Sequence, residues 1–152
     1  MQREGVYHPF IEAQGSFHIV EADSYSLILT AAGTYYPMTG LTQGTTRLVT
    51  VNGAAGTLTI QVPGRYLFTA FASVEPSAAM DLLADLHING TAVGVPTHAG
   101  FKNSQDTKPL SGSGILILNK GDVLTMNLRS DTAGITVSIP AFNMAVCRIG
   151  SK

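Results

Sequence analysis

The sequence has no tryptophan, a single cysteine and little charge: Lys, Arg, Asp and Glu make up 12% of its 152 residues, about half the usual share. Nine basic and ten acidic side chains leave a net charge of −1 and a pI near 6.4. That excludes the concentrated Lys/Arg field nucleic acid requires. The lone Cys147 excludes an intrachain disulfide. It stands in the apolar run Met144-Ala145-Val146-Cys147, so a buried, inert thiol is expected there rather than a nucleophile. No uninterrupted apolar run approaches the roughly 20 residues of a membrane span. The N-terminal stretch MQREGVYHPF lacks the apolar core of a secretory signal, and the expectation is a soluble product made in the cytosol.

What is present is apolar. Hydrophobic residues make up 45% of the chain and mean hydropathy is +0.22, which is high for a soluble protein. The length suits one domain with a sizeable core. So few charges cannot cover its outside, and part of that surface is expected to be covered by another chain. Residues 1–15 show no clear period. They are expected to form an extended arm that pairs with the domain or reaches a neighbour, or else a loosely ordered terminus. Residues 16–152 are expected to form a single domain.

Short strands punctuated by turns fill that domain. Ser16 to Val20, Ser24 to Thr30, Thr34 to Met38 and Thr46 to Val51 come first, and Asn52-Gly53 is a tight-turn signal. Thr57 to Val62 puts Leu58, Ile60 and Val62 on one face, and Pro63-Gly64 breaks it. Arg65 to Val74 carries Tyr66, Phe68, Ala70, Ala72 and Val74 on one face, with Leu67 and Phe71 on the other. A strand apolar on both sides is buried twice, in its own core and against something else. Glu75-Pro76-Ser77 reads as a loop. Ala79 to Ile88 has a helical composition, but its alternation and the following Asn89-Gly90 decide for a strand. Leu82, Ala84, Leu86 and Ile88 then face inward, and Asp81, Leu83, Asp85 and His87 outward. Residues 94–107 are expected to be the longest loop. Lys108 to Leu128 reads as a strand, a tight Lys120-Gly121-Asp122 turn and a returning strand, a hairpin. Ile135 to Ile139 and Phe142 to Ile149 complete about ten short strands, an all-β antiparallel sandwich or barrel with no helix.

No motif in this chain carries chemistry. His8, His18, His87 and His98 have no partners at ligand spacing. Asp85 and His87 share a strand face and could supply two metal ligands, with Asp81 one step along. The alternation alone explains them as a polar stripe facing solvent or an interface, and no metal or cofactor is expected. No nucleophile elbow exists. Asp122 is expected to cap its own turn. Ser111-Gly112-Ser113-Gly114 leads into a strand and lacks the helix N-terminus of a phosphate cradle. Tyr35, Tyr36 and Phe101 could stack on a sugar or a partner, though core packing or edge covering is the commoner fate of such aromatics. An enzyme is not expected.

Gly64-Arg65-Tyr66-Leu67-Phe68 resembles the G-x-Y-x-F strand of the tumour-necrosis-factor-like and complement-globular-head jelly rolls. Leu86-His87-Ile88-Asn89-Gly90 is similar to that family's next strand and its N-G turn. Gly114 to Leu118, the Gly121-Asp122 turn and Val123 to Leu128 match the element after it. Phe142 to Val146 matches the closing F-x-G-x-x-L strand only in part, with Asn143-Met144 where small residues would stand. The resemblance covers residues 57–149 and implies a jelly roll that assembles as a homotrimer. With no collagen-like stalk and a composition rich in Gly, Ala and Thr, the chain is similar to bacteriophage virion proteins. The resemblance thus implies a capsid decoration (cement) protein on the virion surface, bound to the major capsid protein. The alternative is a receptor- or glycan-binding tip of a tail fibre or bacterial surface protein, using residues 94–107 and Tyr35-Tyr36. Leu67, Phe71, Leu83, Tyr35 and Tyr36 are the expected subunit interface. No nucleic acid or membrane partner is expected.

Overall fold

The computed structural model describes residues 11–19, 25–94, 97–104 and 106–152. Thirteen strands run through them in two antiparallel sheets, and no helix occurs among the described residues.

Sheet I is built on its longest strand, β13 (Ile135–Gly150). One side of β13 pairs with β7 (Gly64–Pro76), and the other with β1 (Gln14–Ile19) and, further along, β2 (Ser26–Leu29). The edges are β11 (Lys108–Leu118), paired with β7 along its whole length, and β4 (Thr42–Arg47), paired with β1. Sheet II is built on β12 (Val123–Ser130), which lies between β8 (Met80–Ile88) and the pair β6 (Thr57–Ile60) and β3 (Tyr36–Pro37). Beyond β8 lie β9 (Thr91–Ala92) and β10 (Thr97–Phe101), and beyond β6 lies β5 (Val49–Asn52).

Period-2 alternation builds the core between the sheets. Tyr66, Phe68 and Val74 of β7 share it with Leu82 and Leu86 of β8 and Leu124 and Leu128 of β12, all buried. Phe17 stacks on Phe142 with ring centroids 6.3 Å apart. In β13 the buried positions run Ile135, Val137, Ile139 and then Phe142, Met144, Val146. The switch of parity coincides with a register irregularity between Ser138 and Ala141. Such a bulge keeps both halves of a long strand facing one core. Two strands expected from sequence are therefore one.

Thr46 to Val51, expected as one strand, departs in the opposite way and belongs to two. The chain leaves sheet I after Arg47, passes through Leu48 at φ 52°, and enters sheet II at Val49. Left-handed backbone at a leucine is costly. Here it turns the corner between sheets, and the Leu48 carbonyl accepts a hydrogen bond from Gln61 N (3.2 Å).

Several further expectations are corrected. Lys108 to Leu128 is no hairpin: β11 pairs with β7 in sheet I and β12 with β8 in sheet II, so the turn bridges the sandwich. Asp122 does cap that turn, its Oδ2 accepting from Asn119 N (2.7 Å) and its Oδ1 from Asn89 Nδ2 (3.0 Å). Glu75 and Pro76 lie inside β7, opposite Ser138 and Val137. Within 94–107, Thr97 to Phe101 forms β10, because Phe101 buries beside Met80. Cys147 is exposed, since Met144 and Val146 take the inward positions and leave it outward. Residues 1–10 of the expected arm, with His8, lie outside the described residues, as do Val20, Ser24, Val95, Pro96 and Gln105. Ile11 to Ala13 precede β1 and are tied to β13: Arg148 N donates to Ala13 O (2.8 Å), and the buried Arg148 guanidinium donates to Ile11 O (3.0 Å) and Pro63 O (3.1 Å).

Candidate functional site

Each sheet presents one outer face, and the two differ in chemistry. The outer face of sheet I follows from strands apolar on both sides. Leu67 (40% exposed) and Phe71 (47%) of β7 point away from the core, as the sequence predicts. Register places Ile115 of β11 and Cys147 of β13 on either side of Leu67. Ile115 and Ile117 are each 66% exposed. The next row across the same face is Ser113, Thr69, Ala145 and Ser16, and the next Ser111, Phe71, Asn143 and His18. Of the residues named in these rows only His18 is titratable apart from the thiol; Arg65 borders them beside Ile117, and the first row runs on through Gln14 to Arg47 of β4, which is paired with Glu12 (3.0 Å). Outward isoleucines on a long edge strand, with no further strand beyond it among the described residues, are what natural sheets avoid unless something covers them.

Ile115 and Ile117 are absent from the interface expected from sequence. A signal for them exists: in Gly114-Ile115-Leu116-Ile117-Leu118 both alternating sets are apolar, the pattern that singles out β7.

The outer face of sheet II is polar and partly covered. Asp85 and His87 point outward along β8 as expected, yet they are 5% and 8% exposed rather than open to solvent. The cover is Tyr35. It precedes β3, on the far side of β12 from β8, and its side chain reaches across β12. Its hydroxyl donates to Asp85 Oδ2 (3.3 Å), and its ring meets the His87 imidazole edge-on with centroids 4.6 Å apart. The Arg129 guanidinium lies 5.0 Å from the Tyr35 ring centre. Burial, then the Asp85 charge, push the Tyr35 phenol above its usual range, while Arg129 pulls the other way.

Beside this cluster opens a cavity of about 390 Å³ lined by Gly33, Asp81, Leu83, His98, Arg129 and Asp131, together with Ser130. His98 Nε2 lies 3.8 Å from Asp81 Oδ1. Hydrogen bonds from Asp81 N and the Thr132 hydroxyl hold the Asp131 carboxyl below the usual carboxylate range. Among the described residues no group of three or more His, Cys, Asp or Glu side chains is placed to hold a metal.

The five expected interface residues thus separate. Leu67 and Phe71 lie on the outer face of sheet I, and Leu83 lies beside the sheet II cavity. Tyr35 covers Asp85 and His87. Tyr36 is half-buried in β3, its hydroxyl accepting from Ala31 N (2.9 Å) and sharing a hydrogen bond with Thr30 Oγ1 (2.7 Å). Phe101, weighed as a stacking ring, is buried and has Lys108 Nζ 5.4 Å from its ring centre.

No family model and no curated protein matches the sequence. Solved structures do resemble it. The Eiger tumour necrosis factor of S. frugiperda superposes with a TM-score of 0.70 at 14% identity, covering 93% of this chain and 94% of that one. The globular domain of zebrafish complement 1qA gives 0.63 at 18% identity, covering 93% and 100%. Murine APRIL at pH 5.0 gives 0.63 at 12% identity, covering 90% and 99%. The fold is therefore the tumour-necrosis-factor-like and complement-globular-domain-like jelly roll, an antiparallel β-sandwich.

Proposed function

We propose that the chain is a structural module, not an enzyme, that self-associates through the outer face of sheet I. The observation that carries this reading is the row Ile115, Leu67 and Cys147, with Ile117 and Phe71 beside it, an apolar stretch of the face whose charged residues, Arg65 and the Arg47–Glu12 pair, stand at its borders. Covering such a face is favourable by area alone, and a chain with 12% charged residues has few other means of staying dispersed. The copy number is three, as the resemblance read from the sequence implies. The role is decoration of a viral capsid: a trimer that binds the major capsid protein and cements a bacteriophage head from outside. The Gly/Ala/Thr-rich, Lys/Glu-poor composition supports that setting. Such work needs no chemistry, only surface shared between shell subunits.

Two measurements test this together. Light scattering on the full chain is expected to give the mass of three copies. Cys147, exposed in the single chain, is expected to react slowly with a maleimide at concentrations that favour assembly and quickly on dilution. Binding to undecorated phage heads then tests the capsid role. A monodisperse monomer with a uniformly reactive Cys147 and no capsid binding would sink the reading.

The cavity flanked by Arg129, Asp81 and His98 favours a second reading, a glycan- or receptor-binding tip, since donors and acceptors there surround the apolar Leu83. Saturable binding on a glycan array, lost in Arg129→Ala, would favour it over decoration.

A further inference from the structure

We propose that Asp85 and His87 form a binding site for a single transition-metal ion, with zinc the best fit, on the outer face of sheet II. The inference does not rest on the proposed assembly, which uses the other face.

Asp85 Oδ1 and His87 Nε2 are both shut off from solvent, and neither has a hydrogen-bond partner among the described residues. A buried carboxylate oxygen left alone is among the costlier defects a fold can hold. Here two such atoms sit on side chains two residues apart on one strand face, where Cβ atoms are roughly 7 Å apart. From that spacing a carboxylate and an imidazole can converge on one ion, each at roughly 2.0–2.2 Å.

The neighbouring contacts are those of a supported ligand pair. Tyr35 donates its hydroxyl to Oδ2 (3.3 Å), which fixes the carboxylate and leaves Oδ1 as the oxygen available to an ion. The same ring packs edge-on against His87 and limits the imidazole's rotation. Arg129, over the Tyr35 ring, holds that ring in place. Asn127 stands opposite Asp85 in the ladder, and its Nδ2 donates to Thr125 Oγ1 (2.9 Å), so its amide oxygen is the atom it has left to offer. Partners that orient a ligand in this way commonly alter metal affinity by roughly 10- to 100-fold.

The donor set also selects the metal. One imidazole nitrogen and one carboxylate oxygen suit zinc, cobalt or nickel. Calcium and magnesium favour six or more oxygens. Asp85 and His87 then supply the two protein ligands, and Asn127 or water completes the shell.

The test is calorimetric titration of the metal-free full chain with zinc chloride, with cobalt(II) absorption as a reading of geometry. One ion per chain is expected, with a rise in the thermal midpoint. Asp85→Asn and His87→Ala are expected to weaken binding by at least about 100-fold, and Tyr35→Phe, which keeps the ring, by roughly 10- to 100-fold. His87→Gln, with circular dichroism to confirm folding, guards against a variant that fails to fold. Absence of binding at millimolar zinc would overturn the inference and assign both atoms to ordinary buried water. Unchanged affinity in folded Asp85→Asn and His87→Gln would overturn it equally, by placing the ion elsewhere.

Discussion

Ile115→Lys is the sharpest perturbation of the proposed assembly, because its size follows from exposure. In the single chain Ile115 leaves 66% of its surface to water, so lysine there costs the isolated fold little, within about 0.5 kcal/mol for an ordinary surface change. In an assembly that covers the face, the isoleucine contributes about two-thirds of the ~1.5–3 kcal/mol that full burial of such a side chain brings, or ~1–2 kcal/mol. Three copies make ~3–6 kcal/mol per trimer before any cost of desolvating an ammonium, which corresponds to a loss of roughly 10²–10⁴ in the association constant. Sedimentation equilibrium over a range of concentrations reads this directly, and thermal unfolding at high dilution checks that the single chain is intact. His98→Lys, on the exposed outer side of sheet II, is the matched control and is expected to leave association unchanged. If Ile115→Lys associates within about threefold of the parent while His98→Lys does not, the wrong face has been assigned. If both associate like the parent, outward isoleucines in this fold are simply tolerated.

Other expectations concern the fold and its charge states. Gly56 has φ 67°, and a Cβ there would collide with Met38 O; Gly56→Ala is expected to cost at least ~2 kcal/mol, read as a lowered urea midpoint at constant slope. Arg148→Met removes the guanidinium that donates to Pro63 O and Ile11 O and is expected to destabilise by roughly 2–4 kcal/mol, whereas an unchanged midpoint would show those carbonyls to be satisfied without it. Burial raises the Tyr25, Tyr35 and Tyr66 phenols. Because the folded state holds these protons more tightly than the unfolded one, their stabilising effect is complete below about pH 10 and is lost as pH rises through the folded values. Absorbance at about 295 nm, where tyrosinate absorbs, should therefore show phenols ionising late in the native protein. A titration identical in native and urea-unfolded samples would refute this.

How legible the molecule is in its sequence depends on how local each determinant is. The inward and outward faces of β7 are both readable from Arg65 to Val74, because that alternation needs no knowledge of the rest of the chain. Cys147 defeats the expectation although the same rule applies: a continuous apolar run invites burial of the whole, while period 2 allows only every second residue to face the core. The hairpin and the Thr46 to Val51 strand fail for another reason. A turn fixes the direction of the next strand but not which sheet receives it, and the choice between pairing back and crossing the sandwich is made by β7 and β8, tens of residues away. Asp85 and His87 show the same limit on a smaller scale. Their outward direction follows from alternation, but their burial depends on Tyr35, 50 residues upstream of Asp85. Nothing between them in the sequence announces that reach.

The central place of β13 in sheet I bears on the order in which the protein can form on the ribosome. All of sheet II lies upstream of Ile135 and can pair as it emerges, whereas β7–β11 and β1–β4 are two separate ribbons with no ladder between them until β13 enters the gap. Those contacts span most of the chain, so their closure is entropically slow, and while the gap stays open the unpaired edges of β7 and β1 face water together. A nascent chain halted just short of Ile135 would hold half a sandwich and two sticky edges, so chaperone demand and aggregation should peak in that interval of synthesis and fall once Gly150 is free.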